Sequence, residues 1–241
     1  KLDPDEAEPF SSEQVEKILG LVYDDSGHDL RGYKHKPIKR RLNRQLAVHQ
    51  MISSKEYLQY LENHPERIQS LFRDLLIDYT TFFRDPESFE YLGREILPSL
   101  LRSGSVEEPF RVWVAGCSTG PEAYSLVILL KEVMERIDVH RKLKVFATDI
   151  KPEALDVARE GFYPDEIAAA MDDERLDKYF SPHDNGYQVK SSLRECVIFA
   201  EHTLLQAPPY SNIDLLSCRN LLIYLNESTQ NRILEILHYA L

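Results

Sequence analysis

The residues most able to do chemistry in this chain sit around two glycines. In VWVAGCSTG, Val112 to Gly120, a short apolar run ends in Gly116, and Gly120 precedes a helical pattern. Glycine lets a ligand approach the backbone closely, and a helix start offers N–H groups without partners. The spacing is not GxGxxG and no Lys follows Gly120, so a phosphate-cradling loop is not expected. Alone, the segment serves equally well as a tight strand-to-helix turn. FATDIK places Asp149 at the end of the next apolar run. An acid there can accept from the two hydroxyls of a ribose, or it can cap the helix that Pro152 opens. Together, on adjacent strands, the glycines and the acid favour a nucleoside-type ligand. S-adenosylmethionine fits such a site because it carries no phosphate.

Those residues need elements to hold them. The amino-terminal eighty or so residues read as helices, with no strand. Ser11 and Gln14 make a capping box ahead of Val15, Ile18, Leu19 and Val22. A turn at Ser26–Gly27 follows. A second helix is expected from about Pro37 to Gln50, with Ile38, Leu42 and Leu46 on one face. Ser53 and Glu56 form another box, and Pro65 opens a fourth helix carrying Ile68, Leu71, Phe72, Leu75 and Leu76. A helix after Asp85–Pro86 leads to Leu101, and Arg102 to Pro109 is a surface loop. Beyond it the pattern alternates. FRVWVAG, LKVFATD and NIDLLSC read as buried strands, with helices over Glu122 to Ile137 and Pro152 to Glu160 between the first two. Asp172 and Asn226 cap two later helices, and GYQVK and ECVIFA read as antiparallel strands. Such alternation predicts an α/β fold with a doubly wound, largely parallel sheet, whose ligands bind beyond the carboxyl ends of its strands.

Composition narrows the function. The 241 residues carry a formal net charge of -11, which argues against a nucleic-acid partner. No apolar run approaches the roughly 18 residues of a membrane span, and the acidic start KLDPDEAEPF has no signal-peptide core. Without an initiator Met, the sequence reads as an excerpt of a longer protein. Three cysteines, Cys117, Cys196 and Cys218, form no CxxC pair and suit a reducing cytoplasm. Scattered histidines predict no metal. Two further motifs lead nowhere. APPY, at Ala207 to Tyr210, lacks the polar first residue of the NPPY motif and precedes its strand. GCSTG around Cys117 and Ser118 is not the GxSxG of a nucleophile elbow.

TTFFRD (Thr80 to Asp85), GCSTGPEAYS (Gly116 to Ser125), FATDI (Phe146 to Ile150) and CRNLLIYL (Cys218 to Leu225) occur here in one order and at one spacing. In these motifs nearly the whole chain resembles the chemotaxis receptor methyltransferases, CheR. GHDLRGYKH and RNLLIYL…HYAL look most like the version in hybrid proteins, where the module is fused to a receptor methylesterase. The resemblance implies a Rossmann-like class I S-adenosylmethionine methyltransferase domain over 110–241, with a small antiparallel β-subdomain at about 182–200. An all-α domain over 1–83 and a linker over 84–109 precede it. It implies that Asp78, Thr80 and Arg84 lie over the cofactor, with Arg84 near the transferring methyl. Ala115 and Gly116 would line the cofactor, Glu122 would meet its methionine ammonium, and Asp149 its ribose. Thr203 and Leu204 would lie along the adenine. Arg219 and Asn220 would close the pocket, and Tyr224 would face the methyl and the incoming glutamate. Singly, Arg84 with Asp85 also reads as a surface ion pair, Tyr224 as a core aromatic, and Phe82 and Phe83 as packing residues.

The implied reaction moves a methyl group from S-adenosylmethionine to glutamate side chains on the cytoplasmic domain of chemotaxis receptors, leaving S-adenosylhomocysteine. The implied enzyme is cytoplasmic, with a monomeric domain. Asp78 for a usual asparagine, Pro121 for the first of two usual acids, and Thr203 for a usual asparagine depart from the family pattern. They bear on cofactor affinity and motivate the alternative of a module that binds the cofactor without transferring from it. The basic stretch KHKPIKRRLNR groups Arg40, Arg41 and Arg44 at helical spacing. It is either a solvated face or a docking face for an acidic receptor helix. The short HDNG loop implies independence of the receptor-tail pentapeptide that tethers some members. The family pattern implies a glycine-rich hairpin after HYAL.

Overall fold

The computed structural model describes residues 10–51, 53–76, 79–168 and 170–241. Asp78 and the part of the first-domain expectation that falls on residues 1–9, 52 and 77 lie outside them. The chain forms two compact units: residues up to Ile77 with Asn220–Ile233, and Asp78–Arg219 with Leu234–Leu241.

The first unit is helical. In α1, Ser12–Ser26, Ser11 Oγ accepts from the Gln14 N–H and the Gln14 side chain accepts from the Ser11 N–H, which completes the capping box. Gly27, at φ 74°, ends the helix. Helix α2, His35–Val48, buries Ile38, Leu42 and Leu46. Before α3, Ser54–Asn63, Ser53 accepts from Lys55 N–H rather than from position 56, so no second box closes. A 3-10 turn at Pro65–Arg67 precedes α4, Ile68–Leu75, whose buried side chains Ile68, Leu71, Phe72 and Leu75 follow the predicted stripe. A second 3-10 turn, Leu222–Tyr224, joins this unit through a bridge between Tyr33 and Leu225.

The second unit starts with α5, Pro86–Tyr91, a π-helical turn at Leu92–Ile96, and α6, Leu97–Arg102. Strand β1, Phe110–Ala115, leads into α7, Pro121–Arg136; β2, Leu143–Asp149, leads into α8, Pro152–Glu160. Three short strands follow: β3 at Phe162–Pro164, β4 at Phe180–His183 and β5 at Gly186–Val189. Between β3 and β4 the Asp172 carboxylate caps the helix Asp173–Tyr179 as expected. Strands β6, Val197–Glu201, and β7, Leu215–Ser217, complete the set. The last helix, Glu227–Ala240, is capped by Asn226, whose side-chain oxygen accepts from Thr229 N–H.

The main sheet runs β6-β2-β1-β7 and every pairing in it is parallel. Strand β1 buries both faces. Val112 and Val114 join the core under α7, while Trp113 donates to Thr148 Oγ1 at 2.9 Å and packs against His202 and Tyr210. The second sheet runs β3-β5-β4 and is antiparallel. ECVIFA therefore does not pair with GYQVK, against expectation. It pairs with β2 through Val145↔Val197 to Asp149↔Glu201, and GYQVK pairs with β3 and β4. A short helix, Ser191–Arg194, separates the two segments and lets the chain cross over, where a tight hairpin would have held them side by side.

Gly120 is where backbone freedom matters most. It sits at φ 97° before α7, and a Cβ there would lie 2.9 Å from Ala158 Cβ and 2.9 Å from Tyr163 Oη. Gly120→Ala is expected to lose roughly 2 kcal/mol, from the left-handed backbone and the overlap with α8 together. Urea denaturation reads this directly; an unchanged midpoint would contradict the packing described.

Candidate active site

The parallel register brings the expected cofactor residues to one edge. Ala115 pairs with Thr148, Asp149 with Glu201, and Val114 with Ser217. The carboxyl ends of β1, β2, β6 and β7 thus open on the same side. Gly116, at φ 76°, turns the chain away after its N–H and that of Cys117 donate to Thr148 O. Ser118 follows in a left-handed conformation at φ 50°, which aims its N–H at Asp149 Oδ2, 2.8 Å away. Asp149 Oδ1 accepts from Lys151 N–H at 3.1 Å. The carboxylate is therefore fixed by the glycine loop and by its own turn, while α8 starts without a side-chain cap. Leu204 is buried just beyond β6, after a backbone bond from His202 N–H to Asp149 O.

A second group lies at the start of α7. Pro121 occupies the first position of the helix, where its missing N–H leaves no gap, so this departure from the family pattern leaves Glu122 in the first turn. The Glu122 carboxylate accepts from Ser217 Oγ at 2.6 Å. Burial raises its pKa; the Ser217 hydrogen bond and then the charges of Arg219 and Arg84 act in the opposite sense. Arg84 comes from a turn in which Phe83 and Asp85 are both left-handed, at φ 46° and 58°. Such non-glycine strain concentrates at functional sites. The turn is pinned by its neighbours: Phe83 N–H donates to Ser125 Oγ at 3.0 Å, Phe82 stacks edge-on against Tyr163 and Phe180, and Phe83 against Phe89. Phe82 and Phe83 are packing residues, both buried. The Arg84 guanidinium lies 5.1 Å from the Tyr79 ring centroid and donates to Tyr79 O. Thr80 is half-buried on the segment leading into this turn.

Arg219 closes the group. Its Nη2 donates to Arg84 O at 2.6 Å and to Asp85 Oδ2 at 2.9 Å. Asp85 thus pairs with Arg219, not with its neighbour Arg84. Burial, and then the Glu122 charge, push the Cys218 thiol up to about 12. Burial also holds Cys117 well above its ordinary value. Both stay protonated at neutral pH and are poor nucleophiles. Two buried polar atoms at this edge, Ser118 Oγ and Arg219 Nη1, have no protein hydrogen-bond partner. Buried polar groups are rarely left so, and a polar ligand would satisfy them. With the carboxylates of Asp149 and Glu122 at this edge and no phosphate-binding device among the described residues, the residues present fit S-adenosylmethionine.

Of the remaining predicted residues, Asn220, Tyr224 and the arginines of α2 belong to the helical unit, and Thr203 belongs to the second. Asn220 is left-handed at φ 57°. Tyr224 ends the 3-10 turn, and its carbonyl accepts from Lys34 N–H. On α2 the three arginines part company. Arg40 and Arg44 are exposed, in line with exposed Lys36. Arg41 instead donates to Asp74 O and Leu76 O, tying α2 to the end of α4. Thr203 turns the chain after β6, its carbonyl accepting from Gln206 and Ala207. Sequence reasoning missed Ser118 as the donor to Asp149, Ser217 as the donor to Glu122, and Asp85 as the partner of Arg219. A hydroxyl directly before CRN was the one visible signal.

Among the described residues no group of His, Cys, Asp or Glu could hold a metal ion, and no helix is long and apolar enough to cross a membrane. Residues 78–241 match a family model described as "CheR methyltransferase, SAM binding domain", and residues 13–76 one described as "CheR methyltransferase, all-alpha domain". The chain is 34% identical over 231 residues to a chemotaxis protein methyltransferase of Borreliella burgdorferi, covering 93% of this chain and 82% of that one. It is 32% identical over 235 residues to the chemotaxis protein methyltransferase of Escherichia coli, covering 94% and 79%. It is also 38% identical over 208 residues to an uncharacterized 104.1 kDa protein of Rhodobacter capsulatus. That match takes in 86% of this chain and only 22% of the longer relative.

Proposed function

This chain belongs to the CheR methyltransferase family and carries its S-adenosylmethionine-binding domain, and from that premise we propose that it methylates glutamate side chains on the cytoplasmic domain of chemotaxis receptors. The observation that carries the reading is the part-buried Glu122 carboxylate, flanked by Ser217, Arg219 and Arg84 at the carboxyl edge of the sheet. S-adenosylmethionine supplies a methyl group already activated on a sulfonium. Glu122 meets the methionine ammonium, Asp149 holds the ribose hydroxyls, and Leu204 lies along the adenine. Ala115, Gly116 and Thr203 line the bound cofactor through their backbone and Thr80 covers it; the family pattern assigns Asp78 and Asn220 to the cofactor as well.

A substrate carboxylate is ionised near neutral pH, so the protein has little proton transfer to do. Its task is alignment and exclusion of water. Arg84 steers the carboxylate and Tyr224 fixes its orientation. A labelled-methyl assay with receptor membranes, paired with calorimetry for S-adenosylhomocysteine, tests the assignment. Methylation of receptor glutamates is the expected result. Binding without transfer would point instead to a sensor or scaffold module, and absence of both would sink the assignment.

The enzyme is read as a cytoplasmic, monomeric module of a longer signalling protein. Its boundaries are 1–83 for the helical domain, 84–109 for the linker and 110–241 for the catalytic domain. Docking falls to the exposed cationic row Lys36, Arg40 and Arg44 of α2, with Arg41 bracing the helix beneath it. Opposite charge speeds encounter, and salt screens it. Reversing Arg40 and Arg44 to Glu is expected to lower kcat/KM on receptor membranes by about tenfold at low salt. S-adenosylhomocysteine affinity should hold, and raising the salt should narrow the gap. A salt-independent loss would argue for damage to the helix rather than loss of steering. The short HDNG turn between β4 and β5 supports tether independence; tight binding in a pentapeptide titration would refute it.

A further inference from the structure

We infer that Ser217 is a positioning residue for cofactor binding, one that acts through Glu122 and never touches the reacting atoms. The inference rests on the reading of Glu122 as the partner of the methionine ammonium. Its basis is geometric. Strand β7 ends at Ser217, and the parallel pairing Val114↔Ser217 sets that residue beside the edge from which α7 departs. Its hydroxyl donates to Glu122 Oε1 at 2.6 Å, and among the described residues it is the one hydrogen-bond donor to that carboxylate.

A carboxylate on a short side-chain stem has several rotamers open to it. A donor on one oxygen selects among them and leaves the other oxygen to take a cation. The same hydrogen bond favours the ionised form against the burial that disfavours it. The charged and titratable groups that face Glu122 are Arg84 from the strained turn, Arg219 and Cys218 from the end of β7, and Cys117 from the glycine loop. Both thiols are protonated near neutral pH, so they do not compete as anions. The two arginines supply charge but, unlike Ser217, no direct hydrogen bond to this carboxylate.

Removal of the hydroxyl has a signature that general loosening would not. S-adenosylhomocysteine carries the methionine ammonium. 5′-Methylthioadenosine shares its adenine, ribose and thioether but lacks the amino-acid part. Ser217→Ala is expected to weaken S-adenosylhomocysteine by about tenfold near neutral pH, the scale of a lost hydrogen bond to a charged group. It should leave 5′-methylthioadenosine within about twofold, well under the free energy of one such bond. Without its donor Glu122 titrates at higher pH, so the deficit should grow as pH falls and shrink as pH rises. Ser217→Thr keeps the hydroxyl and should restore binding. Isothermal titration of wild type and both variants with both ligands, across neutral pH, measures all of this. Equal weakening of the two ligands, an unchanged affinity, or a deficit that ignores pH would overturn the positioning role. If wild type binds 5′-methylthioadenosine but gains nothing from the amino-acid part, the reading of Glu122 itself fails, and this inference with it.

Discussion

Glu122→Gln is expected to weaken S-adenosylhomocysteine and S-adenosylmethionine by roughly a hundredfold while leaving the unliganded protein as stable as wild type or more so. The loss is that of a partly buried charge pair with the methionine ammonium, for which removal of one partner typically costs 2–5 kcal/mol. The gain has a different origin. Burial is the largest influence on Glu122 and lifts its folded-state pKa above the unfolded value. A carboxyl shifted in that sense contributes stability at pH below its unfolded value. It loses that contribution as pH rises through the folded value. At neutral pH the ionised side chain therefore destabilises the unliganded fold, and a neutral amide of the same shape relieves it. Ser217 can still donate to the amide oxygen. Melting temperatures of the two proteins should coincide at acidic pH. They should separate, wild type lower, as pH climbs from the ordinary carboxylate range through the raised value. A variant that keeps cofactor affinity, or melts well below wild type at neutral pH, would show that Glu122 is a structural acid.

Arg84→Ala is expected to lower turnover by about a hundredfold with at most a few-fold change in S-adenosylhomocysteine affinity. A misplacement near 1 Å can cost that much in a reaction whose catalysis is mostly alignment. Arg84 is well held for such a role: its turn is strained at Phe83 and Asp85, and its guanidinium rests on Tyr79. Its carbonyl is gripped by Arg219, so the backbone of the turn survives loss of the side chain. Arg84 lends Glu122 some electrostatic support, which accounts for the small affinity term. Arg84→Lys restores the charge without the planar fork and should recover only part of the rate. Single-turnover methylation alongside equilibrium titration separates the two effects. An equal fall in affinity and turnover would make Arg84 a cofactor ligand instead.

Much of this arrangement was legible in the amino-acid order, because its signals span only a few residues. The Ser11–Gln14 box, the buried stripe of α4 and the glycine-bounded start of α7 each depend on neighbours within a turn or two. Asp149 at the end of its strand is of the same kind. ECVIFA was misread for a related reason. A short apolar strand carries no local mark of its partner, and its place beside β2 follows from the crossover before it.

The family and the layered α/β architecture were thus determined by the sequence alone. Tertiary structure decided how those groups are held. Ser217 meets Glu122 across 95 residues of chain, and Arg219 meets Arg84 across 135. It also decided that Arg41 braces α4 while Arg40 and Arg44 face outward. Such contacts depend on which strands pair and in what register. That choice is made by burial summed over the whole core, so no stretch of a few residues encodes it.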